Sequence, residues 1–307
     1  MILHQYASSP FSEKARLLLG YKGLAYRTVS VPVIAPKPDV VALTGGYRKT
    51  PFLQIGADVY CDTALIARVL ERLQPEPSLF PAAAGPMAHA LAAWADSTLF
   101  WTVIPYTMQP AGLAHIFGGA PPEAIKAFAA DRAAFTAGMR RLLPHDAATQ
   151  LGTYLGWLDQ QLGRGSRFLL ADVPCIADFS VFHCLWYVRR APPLAVILEP
   201  HRHLDAWYER MQAIGHGRAE KMTGAEALAL AASADGRHAP VEVLPGLGFE
   251  AGEAVTVAAT DYGTDPVAGT LVGLSADEVA VRRSDERAGT VVVHFPRIGF
   301  QIRKAGG

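Results

Sequence analysis

The spacing of apolar positions changes twice along the chain and divides it into three parts. Up to about residue 76, short strand-like runs alternate with helical ones. Met1 to Gln5 reads as a strand. Phe11, Ala15, Leu18 and Leu19 then recur at helical spacing and give the next segment one apolar face. Ala25 to Val33 reads as a second strand, and a short helix is expected near Asp39–Leu43. The run from Thr50 to Gly56, a tight turn at Ala57-Asp58 and the return Val59-Tyr60-Cys61 form a hairpin. Asp62 is a good N-cap for a helix with Ala64, Leu65, Ile66, Val69, Leu70 and Leu73 on one side.

Pro75, Pro77, Pro81, Gly85 and Pro86 mark a linker. Beyond it the pattern is helical. Met87, Leu91, Trp94, Thr98 and Trp101 form one stripe on a long helix that Pro105 should kink or end. Further helices are predicted from Pro122 to about Leu143, Asp146 to Leu162, Ile176 to Arg189, His203 to Ile214 and Gly224 to Ala232. The Ile176–Arg189 segment is apolar nearly all round, which predicts a central, buried helix. From about residue 241 the period falls to two, at Val255/Val257, Val279/Val281, Val291/Val293/Phe295 and Phe300/Ile302. Turn clusters between these runs predict a small antiparallel barrel or sandwich.

Composition narrows the class. Of 307 residues, half are hydrophobic and 18% charged, enough for a sizeable core, and the formal net charge is zero. That balance argues against nucleic acid and anionic membrane surfaces as partners. No apolar run approaches the roughly 20 residues that span a bilayer, and the N-terminus enters a strand without a signal-peptide pattern. Cys61, Cys175 and Cys184 are scattered and odd in number, which suits neither a disulfide framework nor metal ligation. A reduced, cytoplasmic protein is the expectation.

Candidate chemistry centres on Tyr6 to Arg16. Ser9 has an N-cap side chain, and Pro10 suits the first helical position. The pattern leaves a hydroxyl at the positive end of a helix dipole, where an anion is stabilised. An ordinary helix cap has the same features.

Three further motifs give this stretch its meaning. Arg48-Lys49-Thr50-Pro51 is similar to the Gly-Lys-Val-Pro run of the cytosolic glutathione transferase superfamily. Asp62-Thr63 stands where that family has an acid followed by serine, and Pro174-Cys175-Ile176-Ala177-Asp178 resembles its Ser/Thr-Ile-Ala-Asp capping motif. Ser9 lies seven residues before Arg16, the offset of the catalytic group in the family's serine and cysteine classes. Ser9-Pro10-Phe11-Ser12 resembles the omega-class Cys-Pro-Phe/Tyr-x site with serine at both cysteine positions. The resemblance covers residues 1 to about 215. It implies an α/β plus all-α plus small all-β chain: a thioredoxin-like glutathione-binding domain at 1–76 and an all-helical domain at 86–234. The C-terminal part, 238–305, is expected as an SH3-like barrel outside the family core.

The resemblance also implies roles. Ser9 would hold the glutathione thiolate and be catalytic, with Tyr6 as a rival. Thr50, beside a cis Pro51, would present its backbone to the cysteinyl residue. Asp62 and Thr63 would hold the γ-glutamyl end, and Lys49 would meet the glycyl carboxylate. Tyr6, Trp101, Tyr106 and Met108 are candidates for the electrophile site, and Asp178 is expected to be structural. His201-Arg202-His203 begins a helix and is not expected to bind metal. Serine at both redox positions disfavours thiol–disulfide exchange. The implied function is conjugation of glutathione, as co-substrate without a further cofactor, to a small hydrophobic electrophile, in a homodimer. The alternative is a non-catalytic binding or scaffold protein acting through its C-terminal β region.

Overall fold

The structure is a computed structural model that describes residues 1–234 and 241–306. The N-terminal part runs β1 (Ile2–Gln5), α1 (Pro10–Tyr21), β2 (Ala25–Ser30), α2 (Pro38–Thr44), β3 (Phe52–Ile55), β4 (Asp58–Cys61) and α3 (Thr63–Leu73). This is the thioredoxin-like order. The helical part comprises α4 (Met87–Trp94), a π-helical turn at Ala95–Leu99, α5 (Phe100–Thr107), α6 (Pro110–Ile116), α7 (Pro122–Phe135), α8 (Pro144–Leu162), α9 (Ile176–Arg189), α10 (Pro192–Ala195) and α11 (Arg202–Gln212). It is followed by β5 (Arg218–Lys221), α12 (Gly224–Ala232), β6 (Ala254–Ala259), β7 (Val267–Leu274), β8 (Glu278–Asp285), β9 (Gly289–Pro296) and β10 (Phe300–Lys304). The expected start of the last region, residue 238, lies outside the described residues.

Two elements depart from the pattern. The helix expected to reach Leu143 stops at Phe135, and Gly138 follows at φ +85°, a conformation that cannot continue a helix. Strand β5, Arg-Ala-Glu-Lys, is exposed throughout and has no apolar alternation to betray it; it pairs in parallel with β2 at the sheet edge. A charged edge of this kind discourages further strand addition.

The described strands form a single sheet in the order β10-β6-β7-β8-β9-β4-β3-β1-β2-β5. The C-terminal run from β10 to β9 is antiparallel, compatible with the expected SH3-like topology. It joins the thioredoxin-like sheet through a parallel pairing of β9 with β4, Asp58 opposite Val292 and Tyr60 opposite His294. Side-chain alternation then assigns two cores. Leu3, Leu53 and Tyr60 pack with α1, α3 and the buried helix α9. Phe52, Val59 and Cys61 face the other way and share a core with Val257, Leu271, Val281, Val293 and Phe295.

The β4–β9 joint carries a buried ionic seam. The His294 ring bonds Asp58 Oδ1 through Nε2 (2.8 Å) and Glu278 Oε1 through Nδ1 (2.6 Å), and stacks on Tyr60 at 4.5 Å. Burial opposes the charge on His294, but the hydrogen bonds it donates to Asp58 and Glu278 outweigh it and raise the imidazole pKa above its usual value. A second polar hub caps α9. Asp178 accepts from the backbone N–H of Leu169 and of Cys175 (both 2.9 Å) and from Trp207 Nε1 (2.8 Å). These bonds compensate for the weak thiol cap of Cys175.

Two outcomes follow from these networks. Asp178→Ala leaves three buried donors unpaired and should lower unfolding free energy by at least about 3 kcal/mol in denaturant titration; a loss near zero contradicts the capping role. His294 has a raised folded-state pKa, so its contribution is full below pH 6.5 and fades as pH rises through the folded value. His294→Gln should therefore cost about 3 kcal/mol at pH 6, and the gap to wild type should narrow by pH 9. A pH-independent gap rules this out.

Candidate functional site

Strand register decides which loops meet. His4 lies opposite Phe52, and Phe52 opposite Cys61, so the chain leaves β1, enters β3 and leaves β4 at one end of the sheet. The Tyr6–Ser9 turn, Thr50-Pro51 and Asp62-Thr63 therefore converge. The Thr50–Pro51 peptide bond is cis.

Ser9 sits at the mouth of α1. Its Oγ accepts from Ser12 N–H at 3.2 Å, its own N–H bonds Tyr6 O at 3.1 Å, and the residue is 3% exposed. Because the oxygen already accepts, the hydroxyl hydrogen remains to be donated. Arg16, two turns along the helix, reaches back to Gln5 Oε1 (2.6 Å) and to the carbonyl of Ala7 (3.2 Å) and pins the turn from below. This gives the seven-residue offset its physical reason. Two further hydroxyl oxygens, Ser12 Oγ and Thr50 Oγ1, are buried with no hydrogen-bond partner among the described residues.

Asp62 opens α3 at φ +76°, ψ 138°, a strained conformation for a residue with a Cβ. Its Oδ1 accepts from Ala64 N–H at 2.8 Å. Burial raises the Asp62 pKa, against the opposing charge of Lys49. Thr63 is buried beside it.

The remaining candidates are placed as follows. Tyr6 Oη receives Arg132 Nη2 at 3.4 Å, and Lys37 lies over its ring at 5.9 Å. Burial and then the Arg132 charge lower the Lys37 pKa to about 8. Trp101 is reached from α1 by a row of rings: Phe11 to Phe100 at 4.7 Å and Phe100 to Trp101 at 5.1 Å. Tyr106 is buried and donates to Leu194 O at 2.7 Å, so its hydroxyl is committed to α10. Met108 ends α5 and packs against the helical core. Lys49 pairs with Asp261 Oδ1 at 2.6 Å and stacks over Tyr262 at 4.1 Å.

Sequence reasoning missed several of these partners. Lys14 is wholly buried on α1 and pairs with Asp96 Oδ2 at 2.5 Å, while Asp96 Oδ1 meets His183 Nε2 at 3.0 Å. Burial would raise the Asp96 pKa, but Lys14 and His183 overcome it and hold the carboxyl low. A lone acid in the apolar run around Trp94 was the available signal. Asp261 and Tyr262 read only as a turn. The cysteines are all buried; burial pushes the Cys175 thiol up to about 12 and raises those of Cys61 and Cys184 well above their ordinary value. Among the described residues, no group of three His, Cys, Asp or Glu side chains could hold a metal ion, and no helix is long and apolar enough to cross a membrane.

Comparison with known proteins agrees with this arrangement. The family model for the glutathione S-transferase N-terminal domain matches residues 3–78, and that for the C-terminal domain matches residues 115–210. A search of curated proteins finds no match to the chain. Among solved structures, a GST-like protein from Pseudomonas syringae is 39% identical, with 99% of this chain and 98% of that one covered and a TM-score of 0.82. A glutathione S-transferase from Rhodospirillum rubrum is 23% identical over 69% of this chain and 87% of its own, with a TM-score of 0.52. Glutathione transferase F7 from Populus trichocarpa is 16% identical over 69% and 93%, with a TM-score of 0.53. The last two share the fold alone. With both domain models matched and a full-length relative at this identity, the chain belongs to the glutathione S-transferase superfamily.

Proposed function

We propose that the protein binds glutathione, stabilises its thiolate with Ser9 and conjugates it to a small electrophile. The observation that carries this reading is the buried Ser9 hydroxyl at the N-terminus of α1, at the same sheet end as the cis Thr50–Pro51 bond and Asp62-Thr63. The Thr50 and Ser12 hydroxyl oxygens, without a partner among the described residues, support it, since a bound ligand would satisfy them.

The energetics are sufficient. An ordinary cysteine thiol titrates near 8.5, and lowering it by about two units needs roughly 3 kcal/mol of preferential thiolate stabilisation. A hydrogen bond to a charged acceptor contributes about 1.5–3 kcal/mol and a helix N-terminus about 0.3–1 more. Ser9 donates to sulfur while Ser12 N–H fixes its oxygen. The thiol proton leaves to solvent; the thiolate forms a C–S bond to the electrophilic carbon as that carbon's bond to its leaving atom, a halide or an epoxide oxygen, breaks and the electron pair departs on that atom, an epoxide oxygen then taking a proton from solvent. Asp62 and Thr63 hold the γ-glutamyl end, with Thr63 and the start of α3 meeting its carboxylate.

A second reading is favoured by one contact. Lys49, the residue assigned to the glycyl carboxylate, is already paired with Asp261, as suits a protein that keeps the fold and binds without turnover.

Ser9→Ala separates the two. The catalytic reading expects kcat/KM for a generic electrophile to fall about 10- to 100-fold, with the bound thiol's pKa rising by about one to two units in a pH–rate profile. Tyr6→Phe, tested alongside, should leave that pKa in place. If wild type binds glutathione without conjugating it, or Ser9→Ala leaves rate and pKa unchanged, the Ser9 mechanism is wrong.

A further inference from the structure

We infer that Tyr262, carried by the β6–β7 loop, sets the size of electrophile that the cleft admits. This rests on the transferase reading above and adds to it a residue from outside the two domains that the family models match.

The sheet brings the loop to the site. Strand β9 runs parallel to β4, so it ends where β4 ends; β10 turns back, and Phe300 pairs with Ala259 at the last residue of β6. Residues 260–266 therefore project over the same sheet end as Ser9, Pro51 and Asp62. The loop is tied down on every side. Thr260 N–H bonds Gly299 O at 3.0 Å, Asp261 pairs with Lys49, and Gly263 N–H bonds Phe135 O at 3.0 Å. Gly263 has φ +57°, and a Cβ there would stand 2.3 Å from Phe135 Cε2, so only glycine fits the approach to α7.

These ties press Tyr262 between the domains. It is 8% exposed and meets Trp101 edge-on at 4.9 Å, Phe135 edge-on at 5.2 Å and the Lys49 ammonium over its face. Trp101 closes the aromatic row that begins with Phe11, two residues from Ser9. The Tyr262 ring thus stands at the far end of the aromatic row that begins beside Ser9. Burial, together with Asp261, Asp62, Tyr6 and Asp96 around it, raises its phenol pKa, so it stands there as a neutral aromatic wall. A compact single-ring or short-chain electrophile fits in front of such a wall. A fused-ring or long-chain one requires the ring to be absent.

The test compares kcat/KM for a compact chloronitrobenzene and for a bulky fused-ring epoxide, with glutathione, in the full-length protein. In Tyr262→Ala the bulky-to-compact ratio should rise about tenfold or more, the scale on which apolar pocket volume discriminates substrates. Tyr262→Phe should keep the wild-type ratio, and Tyr262→Leu should fall between; the latter pair also serves if the alanine variant does not fold. A purely structural Tyr262 predicts equal losses for both electrophiles with a lowered melting temperature, and an unchanged ratio overturns the inference. Calorimetric titration of wild type with glutathione distinguishes the two levels. Absence of binding defeats the transferase reading and this inference with it. Binding and turnover with an unchanged ratio defeat the Tyr262 role alone.

Discussion

The parallel pairing of β9 with β4 is the constraint on which the site's surroundings depend. Three residue pairs, Asp58 to Tyr60 against Val292 to His294, fix the height of the whole C-terminal run relative to the thioredoxin-like sheet. A slip of one residue would exchange the faces of Val293 and His294. His294 would no longer meet Asp58 and Glu278 in the interior, and Val293 would leave its core. The seam therefore specifies register, and register carries the β6–β7 loop to the end of the sheet where Ser9 lies.

A second ionic joint fixes the helical domain against the same site. The Lys14 ammonium is enclosed within the protein and pairs with Asp96; Asp96 in turn holds His183 on the buried helix α9. Replacing one partner of such a group by an apolar residue strands the others, so the three behave as a unit. Asp96 lies in the π-helical turn Ala95–Leu99, an arrangement that rotates a side chain out of the regular helical sequence. The strained Asp62 is nearby in electrostatic terms, contributing to the environment of Tyr262 together with Asp96.

What the sequence made legible follows from locality. Caps, apolar periods and turn residues are local, so β1 to α3, the long helices and the period-two strands could be read from spacing, and the motifs around Ser9, Pro51, Asp62 and Asp178 came with them. The fusion of the C-terminal strands to the N-terminal sheet could not, because nothing near Val292 or Asp58 names the distant partner. The same holds for Lys49 and Asp261, which are 212 residues apart. Strand β5 failed for the opposite reason: its pairing is all backbone, so its side chains are free to be charged. Lys14 and His183 were hidden by composition, since a polar residue inside an apolar run gives no direction to its partner.

Serine at position 9 keeps one half of what a cysteine there would offer. A cysteine at a helix N-terminus has a depressed pKa and can form mixed disulfides. A serine hydroxyl keeps the same cap, the same dipole and a hydrogen for donation, but has no accessible redox state. The chain's own thiols cannot substitute, since Cys61, Cys175 and Cys184 are buried and pushed towards the neutral form. Any sulfur chemistry at this site must therefore arrive with the ligand. In the proposed transferase that requirement would fall on the turn pinned by Arg16, the acid held at positive φ and the tyrosine brought in from the third region.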